Sequence, residues 1–332
     1  MVQKRKSIAL PPILSIMGPT ASGKSYFALI LSPALNGEIV NADSRQIYKY
    51  CSIGTSAPTS SEMKTRKHHL YHFIEPDHRF SAADYSTVAL TTIATIHKKK
   101  KLPVLVGGSG LYLRALLEGL FPAPGQNPLL RETLKKTALL MGASFLHKQL
   151  RMIDPQAAQS ILKNDLLRII RAIEIYYLTG KPKSKFIKEQ KPRKHYKLIK
   201  IGISISKSIL FSNIEKRVDD MIGMGLIEET AFLMKHYPPD SPALNAIGYK
   251  EIILFLQHKI TLPEAKQLIN KNTKAYAKRQ LVWFKKDADI LWVSPHTCFD
   301  SDFINTLQLL FKAKRTIDPS RLKRWTTKQL FP

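Results

Sequence analysis

The sequence predicts an α/β fold: a parallel sheet built around a phosphate-binding loop, with a mainly helical domain inserted into it. Three observations carry that prediction. Residues 18–25 read Gly-Pro-Thr-Ala-Ser-Gly-Lys-Ser, the G-x-x-x-x-G-K-[ST] pattern, between an apolar run at 12–17 and a helix-compatible run at 26–31. Residues 1–120 alternate strand-like and helix-like stretches, as strands joined in parallel by helices do. At 122–128 the composition breaks into Pro-Ala-Pro-Gly-Gln-Asn-Pro, and the chain beyond it turns helical.

Taken in order, the run at 12–17 is short, apolar and reads as a buried strand. The loop that follows, Gly18, Pro19, Thr20, Ala21, Ser22, Gly23, Lys24 and Ser25, ends at a helix start. There, free backbone N–H groups and the positive end of the helix dipole favour an anion. Lys24 adds a point charge, and the Ser25 hydroxyl is a ligand for Mg²⁺. Most such loops hold ATP or GTP, so a P-loop NTPase-like core is the starting expectation; the loop itself does not say which phosphate compound it binds. Residues 38–42 form a second strand ending at Asp43. Ser81-Ala-Ala-Asp84 is a capping-box start for a helix to about 99. Its last turn accounts for the run of lysines at 98–101, where positive charge meets the negative end of the dipole. Residues 102–106 form a third strand, running into Gly107-Gly-Ser-Gly110 and a helix over 111–117.

Within the inserted segment, Asp154-Pro155 is an N-cap with proline at the first helical position. Asn164-Asp165 opens a helix that Gly180 closes, and residues 183–197 read as a basic link. A returning strand at 198–205 leads to helices at about 208–223, 226–236, 248–257 and 263–285, a strand at 290–293 and a helix at 302–313. The organisation expected is a core of 1–121 and 198–313, a helical insertion at 122–197, and a loosely held basic tail at 314–332.

Composition is that of a globular protein, 44% hydrophobic and 23% charged, with no run approaching the ~18 apolar residues of a membrane span. Two cysteines supply neither a disulfide framework nor metal-ligand spacing, and the basic N-terminus lacks the apolar core of a secretory signal. A cytoplasmic protein is expected. Charge is the outlier: 52 Lys and Arg against 25 Asp and Glu give +27. That field favours a polyanionic partner, nucleic acid first, although a solvated lysine-rich surface has the same composition.

Two strand ends should face the crevice above the phosphate loop, because ligands gather at the carboxyl ends of parallel strands. One places Asp43 there, as a metal ligand, a general base or a helix cap. The other places Ser109 there, in a strand end that carries Gly-Gly where an ATPase or kinase often carries a metal-holding acid. That absence weakens the ATP reading. Arg168 and Arg171 share a helix face with Glu174, so part of this charge is internally paired. Residues 246–251, Ala-Ile-Gly-Tyr-Lys-Glu, offer a helix start to a phosphate. Lys271, Lys274 and Lys278 form a stripe on the 263–285 helix, opposite an apolar face that includes Tyr276 and Trp283. His68, His69 and His72 read as loop packing.

These motifs together resemble the tRNA dimethylallyltransferases, over roughly residues 12–293. The stretches that carry the resemblance are GPTASGKS (18–25), NADSRQIY (41–48), IGT (53–55), HHL (68–70), SAADYS (81–86), PVLVGGSGLYLRALLEG (103–119), NDLLRIIRAIEIYYLTGKP (164–182), AIGYKE (246–251) and AYAKRQLVWF (275–284). The resemblance implies transfer of a dimethylallyl group from dimethylallyl diphosphate to N6 of adenosine 37, next to the anticodon of a tRNA, with Mg²⁺ as cofactor. The loop would then hold the diphosphate of an isoprenoid. A P-loop small-molecule kinase and an adenylate isopentenyltransferase are the alternatives. By the same resemblance Asp43 is the base, with Lys24, Ser109 and Arg217 also catalytic. Thr20 to Ser25 contact the diphosphate. The tRNA contacts fall on Asp43, Ser44, Arg45 and Gln46; on Ser109 and Arg131; on Leu167, Arg168, Ile169, Ile170 and Arg171; and on Asn245, Ala246, Ile247, Gly248, Tyr249 and Lys250. A monomer without membrane contact is implied. The sequence departs from the family pattern at Ser109, usually Thr, and at Asn213, usually Arg. It departs also at His72, Ala57, Lys274 and Val282, positions that bear on fine substrate contacts and not on the activity itself.

Overall fold

The computed structural model describes residues 11–190, 196–312 and 319–327. The chain divides into two compact units, one of residues 1–117 and 194–332 and one of residues 118–193. The composition break at 122–128 lies inside the second unit.

The first unit is a parallel α/β sandwich. Its elements begin with β1 (Pro12–Met17), α1 (Lys24–Ala34), β2 (Gly37–Asn41), α2 (Ser60–Thr65), β3 (His68–His69), α3 (Ala82–Lys98), β4 (Leu102–Gly107) and α4 (Gly110–Leu117). The second unit contributes α5 (Pro128–Met141), α6 (Ala143–Ile153), α7 (Pro155–Ser160), α8 (Leu166–Thr179) and α9 (Lys183–Glu189). The chain re-enters the sheet with β5 (Lys197–Ile203), then α10 (Lys207–Gly223), α11 (Leu226–His236), α12 (Tyr249–Leu256), α13 (Leu262–Phe284), β6 (Ile290–Val293) and α14 (Ser301–Lys312). Short 3-10 helices lie at Pro295–Phe299 and Pro319–Trp325.

Among the described residues six strands pair in parallel, in the order β3-β2-β4-β1-β5-β6. Side chains alternate across a strand, so a strand covered on both faces reads as a near-continuous apolar run, broken in β1 only by the buried Ser15. β1 shows this: Ile13 and Met17 join the core beneath α3, α4 and α10–α13, while Leu14 and Ile16 join the core beneath α1 and α14. The phosphate-binding sequence follows β1 at the centre of this sheet. Its bend is made by Ala21 and Gly23, both in the left-handed region at φ 62° and 87°.

The expected caps form. Ser81 and Asp84 make the reciprocal capping box of α3, Thr261 and Glu264 that of α13, and Asp154 and Asp165 cap α7 and α8. Three expectations need correction. His68-His69 is an edge strand rather than loop packing; at two residues it is too short to show alternation. Residues 183–189 form α9 within the stretch read as a basic link, starting at the position after Pro182, where φ is already helical. The described part of the tail is docked rather than loose: Leu322 is fully buried, Trp325 Nε1 donates to Asp300 Oδ2 at 2.6 Å, and Thr326 bridges Val293. The remainder of 314–332 lies outside the described residues.

β2 and β4 end so close together that only glycine fits at 107. A Cβ there would lie 2.1 Å from the Ala42 carbonyl oxygen, and backbone cannot swing aside as a side-chain tip can. Gly107→Ala is therefore expected to destabilise the first unit by roughly 3 kcal/mol, measured as a lower urea midpoint with an unchanged slope. A wild-type midpoint would mean that the two strand ends can separate freely.

Candidate active site

The carboxyl ends of β1, β2 and β4 meet at one place, and each brings a loop. After β1 comes the phosphate loop. Ser22 N donates to Pro19 O at 3.3 Å, Lys24 Nζ to Pro19 O at 3.4 Å, and Asn213 Nδ2 from α10 to Ala21 O at 3.2 Å. Asn213 thus keeps a contact to the loop although it replaces the family's usual arginine. Ser22 Oγ is buried without a hydrogen-bond partner. Arg217, one turn along α10, donates Nη1 to Thr20 Oγ1 at 3.2 Å, and burial lowers its pKa. Desolvation, with a smaller push from the Arg217 charge, brings the Lys24 ammonium down to about 8, against the opposing pull of Asp43. Two cations, Lys24 and Arg217, thus converge on the loop.

After β2 comes Asp43. Its amide donates to Asn41 Oδ1 and its Oδ1 accepts Arg45 N, both at 2.9 Å, so the backbone on each side of the carboxylate is fixed. Asn41 is itself held by the Leu70 carbonyl at 2.9 Å. After β4 comes Ser109, whose Oγ accepts Ser44 N at 2.8 Å and donates to Ser44 Oγ at 3.1 Å. Asp43 and Ser109, 66 residues apart in number, are therefore tied into one surface. Gln46 Nε2 bonds the Thr55 and Ser56 carbonyls, and Arg45 Nη1 the Pro242 carbonyl, so neither side chain's polar head is idle.

These loops form one wall of a cleft of about 390 Å³. Thr20, Asp43, Ser44 and Arg45 line it from the sheet side, Gly54 to Ser56 from the next loop, Ile214, Arg217, Val218 and Met221 from α10, Asn245 to Gly248 from the loop before α12, and Ile269, Thr273, Tyr276 and Arg279 from α13. The floor is apolar and the rim polar and basic. Burial, with the nearby Asp43 charge, raises the Tyr276 phenol's pKa. Glu229 of α11 holds the loop that brings Gly54 to the cleft. Its carboxylate accepts the backbone N–H of Ser52, Ile53 and Gly54, each at 2.9 Å, and the Tyr249 hydroxyl at 2.7 Å. Gly54 has to be glycine, because a Cβ would sit 2.4 Å from the Tyr249 ring.

Several predicted contact positions point elsewhere. Tyr249 is fully buried and Ala246 nearly so, which leaves the backbone of that segment to face the cleft. In the second unit Ile169 and Ile170 are core residues, so no tRNA contact is available through their side chains. Leu167 and Arg168 are exposed, Arg168 beside Asp165 at 3.3 Å. Arg131 and Arg171 both bind the buried Glu174 carboxylate, at 2.8 and 2.5 Å; their hydrogen bonds, with that of Asn127 N, outweigh burial and hold its pKa at about 2. The stripe on α13 is partly engaged: Lys274 pairs with Glu215, and Lys274 and Lys278 lie over the Phe211 ring at 5.2 and 5.6 Å. Trp283 is at the surface of α13 but covers Gly110, where a Cβ would meet its Nε1 at 2.2 Å.

Two residues escaped the sequence reading. Glu229 sits in an ordinary amphipathic stretch and gives no signal. Gln280 does: it is a polar residue among buried positions 277, 281 and 284 of α13, and it is 4% exposed.

Among the described residues no three His, Cys, Asp or Glu side chains cluster as a metal site, and no helix is long and apolar enough to cross a membrane. Fold and site define a phosphate-loop protein with a group-transfer cleft, large enough for a flat base and edged with cations. The IPP transferase family model matches residues 46–287, and the chain belongs to that family. It is 43% identical over 301 residues to a tRNA dimethylallyltransferase of Geobacter sulfurreducens, covering 90% of this chain and 96% of that one. The fold is similar to that of the Bacillus halodurans tRNA isopentenylpyrophosphate transferase (TM-score 0.66, 36% identity, 94% of this chain and 99% of that one). It is also similar to that of a eukaryotic dimethylallyltransferase acting on tRNA (TM-score 0.77, 26% identity, 95% and 83%).

Proposed function

We propose that this enzyme transfers the dimethylallyl group of dimethylallyl diphosphate to N6 of adenosine 37 in tRNA, releasing diphosphate. The observation that carries the reading is the meeting of an anion loop and a carboxylate in one cleft: Thr20 of the loop, Arg217 and Asp43 all line it, and Lys24 lies close enough to feel the charges of Asp43 and Arg217. In the step proposed, the N6 nitrogen attacks carbon one of the isoprenoid as the C–O bond to diphosphate breaks. The bonding pair leaves on the bridging oxygen, and the N6 proton passes to Asp43. N6 is a poor nucleophile because its lone pair is delocalised into the ring, so a base at its proton is worth roughly 10²–10⁴ in rate. Lys24 and Arg217 stabilise the charge growing on the leaving group. Tyr276 lines the cleft that a base extruded from the anticodon loop would enter, and Ser109 holds Ser44 of its wall.

The exposed Ser25 hydroxyl, at the second residue of α1, suits Mg²⁺, which takes one or two protein oxygens and completes its shell with phosphate and water. When bound, the ion would neutralise part of the diphosphate charge. A small-molecule kinase on the same loop is disfavoured, because the end of β4 is Gly107-Gly108 and offers no acid to hold a second metal contact. Free adenine nucleotide as acceptor is disfavoured by the net charge of +27, which a small acceptor does not need. The enzyme is proposed to act as a monomer.

The deciding experiment incubates the protein with dimethylallyl diphosphate, Mg²⁺ and unmodified tRNA, digests the RNA and looks for N6-(dimethylallyl)adenosine. ATP turnover without RNA, and no modified adenosine, would overturn the reading. tRNA affinity is also expected to fall steeply with salt, about 0.7–0.9 in log K per decade of salt for each phosphate contacted. A flat salt response would remove the basic surface from tRNA binding.

A further inference from the structure

We infer that Gln280 is a positioning residue that sets the distance between the leaving-group loop and the wall that carries the base; the inference rests on the function proposed above. The side chain is buried on α13, and its two ends hold the two loops. Oε1 accepts Thr20 N of the phosphate loop at 2.8 Å, and Nε2 donates to Gly108 O at 2.9 Å. The orientation of the amide is forced, because one neighbour can only donate and the other only accept. From Gly108 the path runs through Ser109 to Ser44 and so to Asp43.

The fit is mutual. A Cβ on Gly108 would come within 2.1 Å of Gln280 Nε2, so the glycine leaves the space that the amide fills. The bare end of β4 is thus one half of a pair. Where an acid at this point would add negative charge beside a diphosphate, a neutral side chain with one donor and one acceptor joins the loops instead. The same bond occupies the Thr20 amide, so that N–H is committed to Gln280. Because Tyr276 and Arg279 on the same helix line the cleft, the residue also ties the wall that meets the acceptor base to the loop that meets the leaving group.

Gln280→Glu keeps the shape and removes the donor, setting two acceptors against each other at Gly108. Expected is a fall in kcat of roughly 10²-fold, the cost of misplacing reacting groups by about 1 Å. The KM for tRNA should stay within about threefold of wild type, and inorganic pyrophosphate should bind about tenfold more weakly. A purely structural role would instead lower the melting temperature while kcat per folded molecule stayed unchanged, and that result would overturn the inference. Gly108→Ala supplies a second route, since its methyl group displaces the same amide; it carries the test if Gln280→Glu does not fold. Combined with Gln280→Ala it should cost no more than the worse single change. A loss equal to the product of the two would mean that the residues act independently. Should wild type make no prenylated tRNA, the proposed function fails. Pyrophosphate binding by wild type and Gln280→Glu then still tests the clamp, and equal affinities would sink it.

Discussion

Asp43→Asn is expected to lower prenyl transfer by about 10²–10⁴-fold while leaving tRNA affinity within a factor of about two. The asparagine is nearly isosteric, and the surrounding bonds survive it. The backbone N–H of residue 43 still donates to Asn41, and the amide oxygen can still accept Arg45 N in place of Oδ1. What changes is the second oxygen, to which no described hydrogen bond runs, and which becomes an NH₂ that cannot take a proton. The loss should therefore fall on kcat. Single-turnover rates with pre-bound tRNA, alongside a binding titration, check both halves. Full activity in the variant would remove Asp43 as base and shift attention to a proton acceptor in the tRNA or solvent. Loss of tRNA binding would instead make it a contact residue.

How legible this was from the sequence depends on the range of the interactions. The phosphate loop is local, eight residues between a strand and a helix, and its motif states its chemistry directly. Asp43 was legible because the carboxyl end of a parallel strand points to one side of the sheet whatever the rest of the chain does. β2, β4 and the capped helices followed from patterns a few residues long. The clamps did not. Gln280 meets partners 260 and 172 positions away, and Glu229 meets a loop some 175 positions away, so nothing near either residue encodes the pairing. Only the polarity of Gln280 at a buried helical position hinted at it. The helix face including Ile169 and Ile170 was mistaken for a contact surface because family resemblance carries residues over without saying which side is inward. His68-His69 was missed because β3 borrows its structure from β2, to which it pairs through Ile39 and Val40. The tail was misread because its basic composition hides the two anchors, Leu322 and Trp325, that hold the described part down.

Lys24 gives the second large effect, and its sign can be followed with pH. Burial, and secondarily Arg217, hold its pKa near 8, well below the ordinary 10.5. Between those values the unfolded chain binds more protons than the folded one, so this group makes the fold more stable as pH rises through that window. Diphosphate binding runs the other way, because the anion favours the charged ammonium. Above about pH 8 the free enzyme must take up a proton to bind it well. The KM for dimethylallyl diphosphate is therefore expected to climb above pH 8, at up to about tenfold per unit. Binding at pH 9 should consume close to one proton, read by calorimetry in buffers of different ionisation enthalpy. The substrate's own last ionisation, near that of a phosphate monoester at about 6, is complete by then and does not confuse the sign. Lys24→Met should lower kcat/KM by about 10²–10³-fold, as removal of one fixed charge-stabilising group does. It should also flatten the rise in KM between pH 8 and 9.5 and abolish the proton uptake. A Lys24→Met enzyme that kept the wild-type pH dependence would assign that titration to another group and leave Arg217 and the loop amides as the main hold on the diphosphate.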